Sequence, residues 1–249
     1  MKIFSTTFLF LLFFGSTSLA QNDEFHGEKI AFQSLDKMEI TADLYVKDPE
    51  VKTYIILYHQ ANFSRGSYRT IAPKLNELGY NCLAVDARSG HKARGVLNET
   101  TKRAIKANEG IKFKDAVQDV DATFLYVRDE LKAEKIIIWG SSYSAAIVIY
   151  MGSKYADGID GILSFSPGEY FKIEGQEIGA FAENITCPVF ITSAANEKKN
   201  WENIYNNISS EKDFFLPEEK GFHGSKALWP DKKGNEAYWE AVIAFLNKI

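Results

Sequence analysis

Residues 135–147 read Lys-Ile-Ile-Ile-Trp-Gly-Ser-Ser-Tyr-Ser-Ala-Ala-Ile. A short run of β-branched residues ends in a turn of small residues carrying serines, and an apolar helical segment follows at once. Strand, sharp turn and helix with a serine at the apex is the setting in which a serine hydroxyl stands clear at the C-terminal edge of a sheet. The positions two before and two after that apex must be small, because strand and helix nearly touch there. Around Ser142 they are Gly140 and Ser144; around Ser141 they would be Trp139 and Tyr143, too large for the turn. Ser142 is therefore the candidate nucleophile. A hydroxyl so presented attacks a carbonyl once a neighbouring base takes its proton.

On this segment the chain resembles the α/β-hydrolase superfamily, and within it the dienelactone-hydrolase-related and small serine esterase branch. Ser144 stands where the commonest pattern has glycine. The resemblance implies a base and an acid at fixed places. The acid belongs in the loop after the strand read over 187–194, which ends Ser193-Ala194-Ala195-Asn196-Glu197. Glu197 matches that place, with the neutral amide of Asn196 beside it. The base belongs between the last strand and the last helix, where Lys220-Gly221-Phe222-His223-Gly224-Ser225 supplies His223. The turn after the first parallel strand, His59-Gln60-Ala61, matches the one that gives half of an oxyanion hole. Ala61 N–H is then the first donor, with Gln60 as the alternative, and Tyr143 N–H the second. His59 props that turn. The order Ser142, Glu197, His223 is the order of the superfamily.

The resemblance further implies hydrolysis of a carboxylic ester or related acyl bond through an acyl-enzyme, with no metal or organic cofactor. Dienelactone hydrolases proper use cysteine as nucleophile, so their particular substrate does not carry over to Ser142. Two other readings use the same residues. One is an inactive hydrolase fold that binds a ligand, hinted at by Asn196 and Ser144. The other is an acyltransferase that passes the acyl group to an alcohol.

The elements that must position these residues follow from periodicity. Residues 28–34 and 38–46 read as an antiparallel strand pair around a tight turn. Apolar runs over 53–58, 81–87, 135–139, 161–165 and 187–194 read as buried strands of a parallel sheet, with a last short strand over 213–216. Helices are expected over 67–78, 113–131, 142–154, 201–208 and 235–246. The fold class is α/β, a mostly parallel eight-stranded sheet with helices on both faces and an N-terminal antiparallel pair. Segments 88–112 and 167–186 show no sustained period and read as loop excursions near the site. The first carries Arg88, Lys92, Arg94, Lys102, Arg103 and Lys106, a basic rim for an acidic substrate or a plain solvated loop. Asp115, Asp119 and Asp121 read as solvated helix charges.

Lys2 followed by an apolar run over 3–14 and Gly15-Ser16-Thr17-Ser18-Leu19-Ala20 has the three parts of a secretory signal. The expected organisation is a signal peptide over 1–20, cut after Ala20, and a hydrolase domain over 21–249, secreted or periplasmic. The apolar run is too short to span a bilayer, which takes about 20 residues, so no stable membrane anchor is expected after cleavage. The 29 basic and 33 acidic residues give a net charge of −4, which speaks against nucleic acid as a partner; the partner that the resemblance implies is a small-molecule acyl substrate. Cys82 and Cys187, on or beside core strands, read as buried thiols, with a disulfide between them as the alternative that an oxidising compartment permits. Sequons at Asn62, Asn98, Asn184 and Asn207 matter only in a glycosylating source.

Overall fold

The computed structural model describes residues 27–249; the expected signal segment lies outside the described residues. The strands are β1 (Glu28–Gln33), β2 (Glu39–Tyr45), β3 (Thr53–Tyr58), β4 (Asn81–Val85), β5 (Lys92–Ala93), β6 (Val96–Leu97), β7 (Lys135–Ser141), β8 (Gly161–Phe165), β9 (Val189–Thr192) and β10 (Lys212–Phe215). The helices are α1 (Ala72–Glu77), α2 (Glu99–Lys106), α3 (Val117–Asp129), α4 (Tyr143–Lys154), α5 (Gly179–Ala182), α6 (Lys198–Asn207) and α7 (Asn235–Leu246).

Eight strands form one sheet in the order β1-β2-β4-β3-β7-β8-β9-β10. β2 runs antiparallel to β1 and to β4, and every other pairing in the sheet is parallel. The chain steps from β3 to β4 on one side, then crosses back to β7 on the other. Beside such a reversal the loops leaving the two strands part and open a crevice at their C-terminal ends. Here the loops are those that follow Tyr58 and Ser141, and Tyr58 faces Gly140 in the register of β3 with β7.

Side chains of one strand alternate between the two faces. In β7, Ile136 and Ile138 join the cluster built with Val120 and Phe124 of α3 and Ile147 and Met151 of α4. Ile137 and Trp139 join the opposite cluster, with Leu75 of α1 and Trp239, Val242 and Phe245 of α7. Both faces are therefore covered, and that is why the strand sequences read as unbroken apolar runs.

Three local expectations are corrected. The helix expected over 67–78 is a 3-10 turn, Arg65–Tyr68, followed by α1 with its proline at the first turn. Pro73 lacks an N–H and favours a helix start, and Arg65 is drawn down to Asp43, Asp86 and Glu99. Segment 88–112 contains the small β5–β6 hairpin and α2. Asn98 caps α2, its side chain accepting from Thr101 N–H at 2.7 Å. The buried positions of α2 are Thr100, Thr101 and Ala104, which carry no apolar period. Asp119 and Asp121 are not solvated. Asp119 takes Arg88 in several hydrogen bonds, the shortest 2.6 Å, while Arg88 also holds Asp36. Asp121 is held by Lys154 and by the Tyr155 hydroxyl. Arg88 is thus a buried tie between the β1–β2 turn and α3, not part of a basic rim. Asp115 instead bonds the Lys112 N–H at 2.8 Å and closes the turn before α3.

Cys82 and Cys187 are both buried and free. Burial pushes both thiols up, Cys187 to about 12.

Candidate active site

The turn between β7 and α4 gives Ser142 the backbone angles φ 60° and ψ −120°. A serine at positive φ is strained, at a cost of about 1–3 kcal/mol that the surrounding structure must hold. Three contacts hold it. Ser142 N–H donates to Phe165 O of β8 at 2.8 Å. Gly140 lets the helix approach, since a Cβ there would stand 2.3 Å from Ser144 O. Ser144, the departure from the usual glycine, turns its hydroxyl inward: it accepts from Ser141 N–H at 2.8 Å and lies 2.9 Å from Tyr58 O and 3.0 Å from Ser141 O. The small residue is a brace between the ends of β7 and β3.

Ala61 and Tyr143 each stand three residues past a register pair, Tyr58 with Gly140. Among the described residues neither of their N–H groups donates a hydrogen bond within the protein. Tyr143 is fixed by its ring, buried and stacked on Phe113 at 4.8 Å. The turn before Ala61 is fixed by His59, which is fully buried. Its Nδ1 lies 2.8 Å from Gln60 O and its Nε2 3.0 Å from the Asn98 amide nitrogen. Burial lowers its pKa, so it is a neutral imidazole donating through Nδ1 and accepting at Nε2. The propping role expected of His59 has this physical form.

Glu197 closes the 3-10 turn Ala195–Glu197 after β9. Its Oε1 lies 2.7 Å from His223 Nδ1. Its Oε2 accepts from Ser166 Oγ at 2.7 Å and from Ala194 N–H at 3.2 Å. Burial pushes the carboxyl up, but the hydrogen bonds from His223 and Ser166 outweigh it, and the pKa ends below the ordinary value. Glu197 is therefore a carboxylate at neutral pH. Asn196 next to it makes no hydrogen bond to His223 among the described residues and faces a cavity of about 870 Å³ that Phe215, Pro217 and Phe222 also line.

His223 sits between two glycines at positive φ, Gly221 (64°) and Gly224 (70°). Gly224 has a second reason to lack a side chain, since a Cβ would stand 2.5 Å from Ser141 Oγ. Its loop is tied to the sheet by Ala195 N–H to Lys220 O at 3.0 Å, Gly224 N–H to Ser166 Oγ at 2.8 Å and Ser225 N–H to Ser141 Oγ at 2.9 Å. With Nδ1 facing Glu197, the free nitrogen of the ring is Nε2. Among the described residues no hydrogen bond joins Ser142 Oγ to His223; the Ser142 hydroxyl neighbours that of Tyr170, whose phenol is raised by burial and drawn back by Ser142. A serine–histidine contact of this kind often tightens only when substrate binds.

Sequence reasoning missed Ser166 and Tyr170. Ser166-Pro167-Gly168 reads simply as a strand breaker, and neither the positive φ of Ser166 nor the 2.7 Å bond from Tyr170 Oη to Ser166 O has a sequence signature.

A parallel sheet reversed at β3, a serine at a strained strand–helix turn and a carboxylate–imidazole pair two loops away define an α/β-hydrolase of the serine-hydrolase type. Residues 49–214 match the family model described as serine aminopeptidase, S33. The chain belongs to that family of α/β-hydrolases. Among solved structures it is similar to a dienelactone hydrolase from Anabaena variabilis (TM-score 0.68, 10% identity, 90% of this chain and 98% of that one). It is similar also to an esterase from Pyrococcus furiosus (0.67, 16%, 89% and 91%) and to acetyl xylan esterase 1 from a Thermoanaerobacterium species (0.64, 14%, 87% and 81%). At these identities the likeness is one of fold. No curated protein matches the sequence.

Proposed function

We propose that the protein is a secreted or periplasmic hydrolase that cleaves a carboxylic ester or related acyl bond through Ser142, Glu197 and His223. His223 Nε2 takes the proton of Ser142 Oγ as the oxygen attacks the carbonyl carbon. Glu197 holds the ring in the tautomer with hydrogen on Nδ1 and stabilises the imidazolium that forms. The N–H groups of Ala61 and Tyr143 receive the negative charge gathering on the carbonyl oxygen. His223 then returns the proton to the leaving group, and water repeats the sequence on the acyl-enzyme.

The observation that carries this reading is the 2.7 Å bond between Glu197 Oε1 and His223 Nδ1. It gives a histidine a fixed tautomer and sets a half-buried carboxylate against its Nδ1. It also favours Glu197 over Asn196 as the acid, and so weakens the inactive reading that Asn196 suggested.

The test is labelling of the mature protein with a fluorophosphonate, read by intact mass and peptide mapping, beside hydrolysis of a short-chain aryl ester. One adduct on Ser142, lost in His223→Ala, is the expected result. A folded protein with no adduct and no turnover would sink the mechanism.

A further inference from the structure

We propose that Ser166 is a positioning residue that locks the acid and the base of the site to one another through a single hydroxyl. This rests on the reading of Glu197 and His223 given above and adds a residue that the sequence pattern does not contain.

Ser166 follows the last residue of β8 and is buried, 1% exposed. Its Oγ lies 2.7 Å from Glu197 Oε2 and 2.8 Å from the N–H of Gly224, the residue after His223. The polarity of both bonds is fixed by chemistry. A backbone N–H only donates and an ionised carboxylate only accepts, so the hydroxyl accepts from Gly224 and gives its one hydrogen to Glu197. The result is a closed circuit: Glu197 Oε1 to His223 Nδ1, His223 through one peptide to Gly224 N–H, Gly224 to Ser166 Oγ, and Ser166 back to Glu197 Oε2. One oxygen of the carboxylate faces the imidazole and the other is held from behind, closely by Ser166 Oγ at 2.7 Å and more loosely by Ala194 N–H at 3.2 Å, so turning away from the ring breaks the Ser166 bond.

The backbone of Ser166 supports a purpose beyond the turn. Its φ is 56°, in the left-handed region that glycine adopts freely and serine does not. The next residue, Pro167, further restricts it. Glycine would adopt this turn without that strain. The strained position is pinned on both sides of the residue, by Ser166 N–H to Thr192 O at 2.6 Å and by Tyr170 Oη to Ser166 O at 2.7 Å. The hydroxyl is thus presented to Glu197 from a fixed point.

This backbone offers a discriminating variant. Ser166→Gly removes the hydroxyl while easing the conformation, so it separates loss of the circuit from loss of the turn. With a short-chain aryl ester, kcat is expected to fall about 10- to 100-fold, the range that misplacement of a catalytic group produces, with KM within about twofold. The second readout is the proton NMR resonance of the His223 Nδ1 hydrogen, identified by its loss in Glu197→Gln. It is expected to shift or disappear in Ser166→Gly, with the thermal transition retained as the check on folding; Ser166→Ala is expected to behave alike. Wild-type kcat with the resonance in place would overturn the proposal. So would a fall in kcat with the resonance unmoved, because a residue acting through Glu197 must disturb that bond. If the wild type itself neither turns over nor takes a fluorophosphonate, the hydrolase reading fails, and the resonance alone still decides whether Ser166 holds the pair.

Discussion

Ser141 and Ser225 are joined by a hydrogen bond of 2.9 Å from the Ser225 N–H to the Ser141 hydroxyl. One is the neighbour of Ser142 and the other lies two residues past His223, so the turn that presents the serine and the loop that presents the histidine are tied directly. Trp139 adds a second strut, its Nε1 donating to Ser225 Oγ at 2.9 Å. In Ser141→Ala the Ser225 N–H is left buried without its acceptor, a loss of about 1–3 kcal/mol. Thermal unfolding should show a lower Tm, and fluorophosphonate labelling of Ser142 should slow with it. An unchanged labelling rate would mean that the two loops hold register without this bond.

Ser144→Gly restores the residue commonest at this place in the superfamily, yet here it should destabilise. It removes the acceptor of the buried Ser141 N–H and the contact to Tyr58 O. Denaturant unfolding should show a loss of about 1–3 kcal/mol. A neutral or stabilising effect would mean that the brace contributes nothing net.

Glu197→Gln keeps the shape of the acid and removes its charge. The amide cannot accept from both His223 and Ser166 as the carboxylate does, and it cannot balance an imidazolium. Substitution of the acid by its amide in a serine–histidine–acid site costs up to about 10⁴ in kcat, and a fall of about 10³–10⁴ is expected here, against near-wild-type activity for Asn196→Ala. Equal losses at both positions would shift the assignment of the acid.

Asp36 gives a pH prediction. Hydrogen bonds from Arg88 lower its carboxyl to about 2 from the ordinary 3.8, against the opposing effect of burial. A group whose folded pKa is depressed stabilises the fold fully above its unfolded pKa and loses that contribution as the pH falls through the folded one. The window is therefore about pH 5 down to about pH 2. Asp36→Asn should lower Tm at neutral pH, and the gap to wild type should close on acidification across that window. A gap that stays constant with pH would show that the loss comes from packing and not from the ion pair.

Much of this architecture was legible because parallel strands covered on both faces leave an apolar run that sequence reading detects. β8 and α7 fall where the apolar pattern puts them. The reading worked less well where polar bonds, not apolar burial, shape the chain. α2 buries threonines and an alanine. The break after Tyr68 follows from Pro73 and the pull on Arg65. Arg88 and Asp119 look like surface charges until a partner arrives from more than 30 residues away. At the candidate site, the sizes of Gly140 and Ser144 singled out Ser142, and the resemblance to the superfamily singled out Glu197 and His223, which the structure sets 2.7 Å apart. Ser166 was not, because its part depends on a hydroxyl direction set by a backbone angle.

The amide of Asn98 has one more consequence, for how the protein can be made. Its nitrogen carries two hydrogens, and both are engaged, one at His59 Nε2 at 3.0 Å and one at Ala87 O at 2.9 Å. Asn98 also opens the sequon Asn98-Glu99-Thr100, and N-glycosylation replaces one of those same hydrogens with a bulky sugar. A glycan on Asn98 and the folded His59 turn are therefore mutually exclusive. Expression through a eukaryotic secretory route that modified this asparagine before folding would yield a chain unable to close the turn that carries Ala61, whereas a host without that machinery leaves both hydrogens in place.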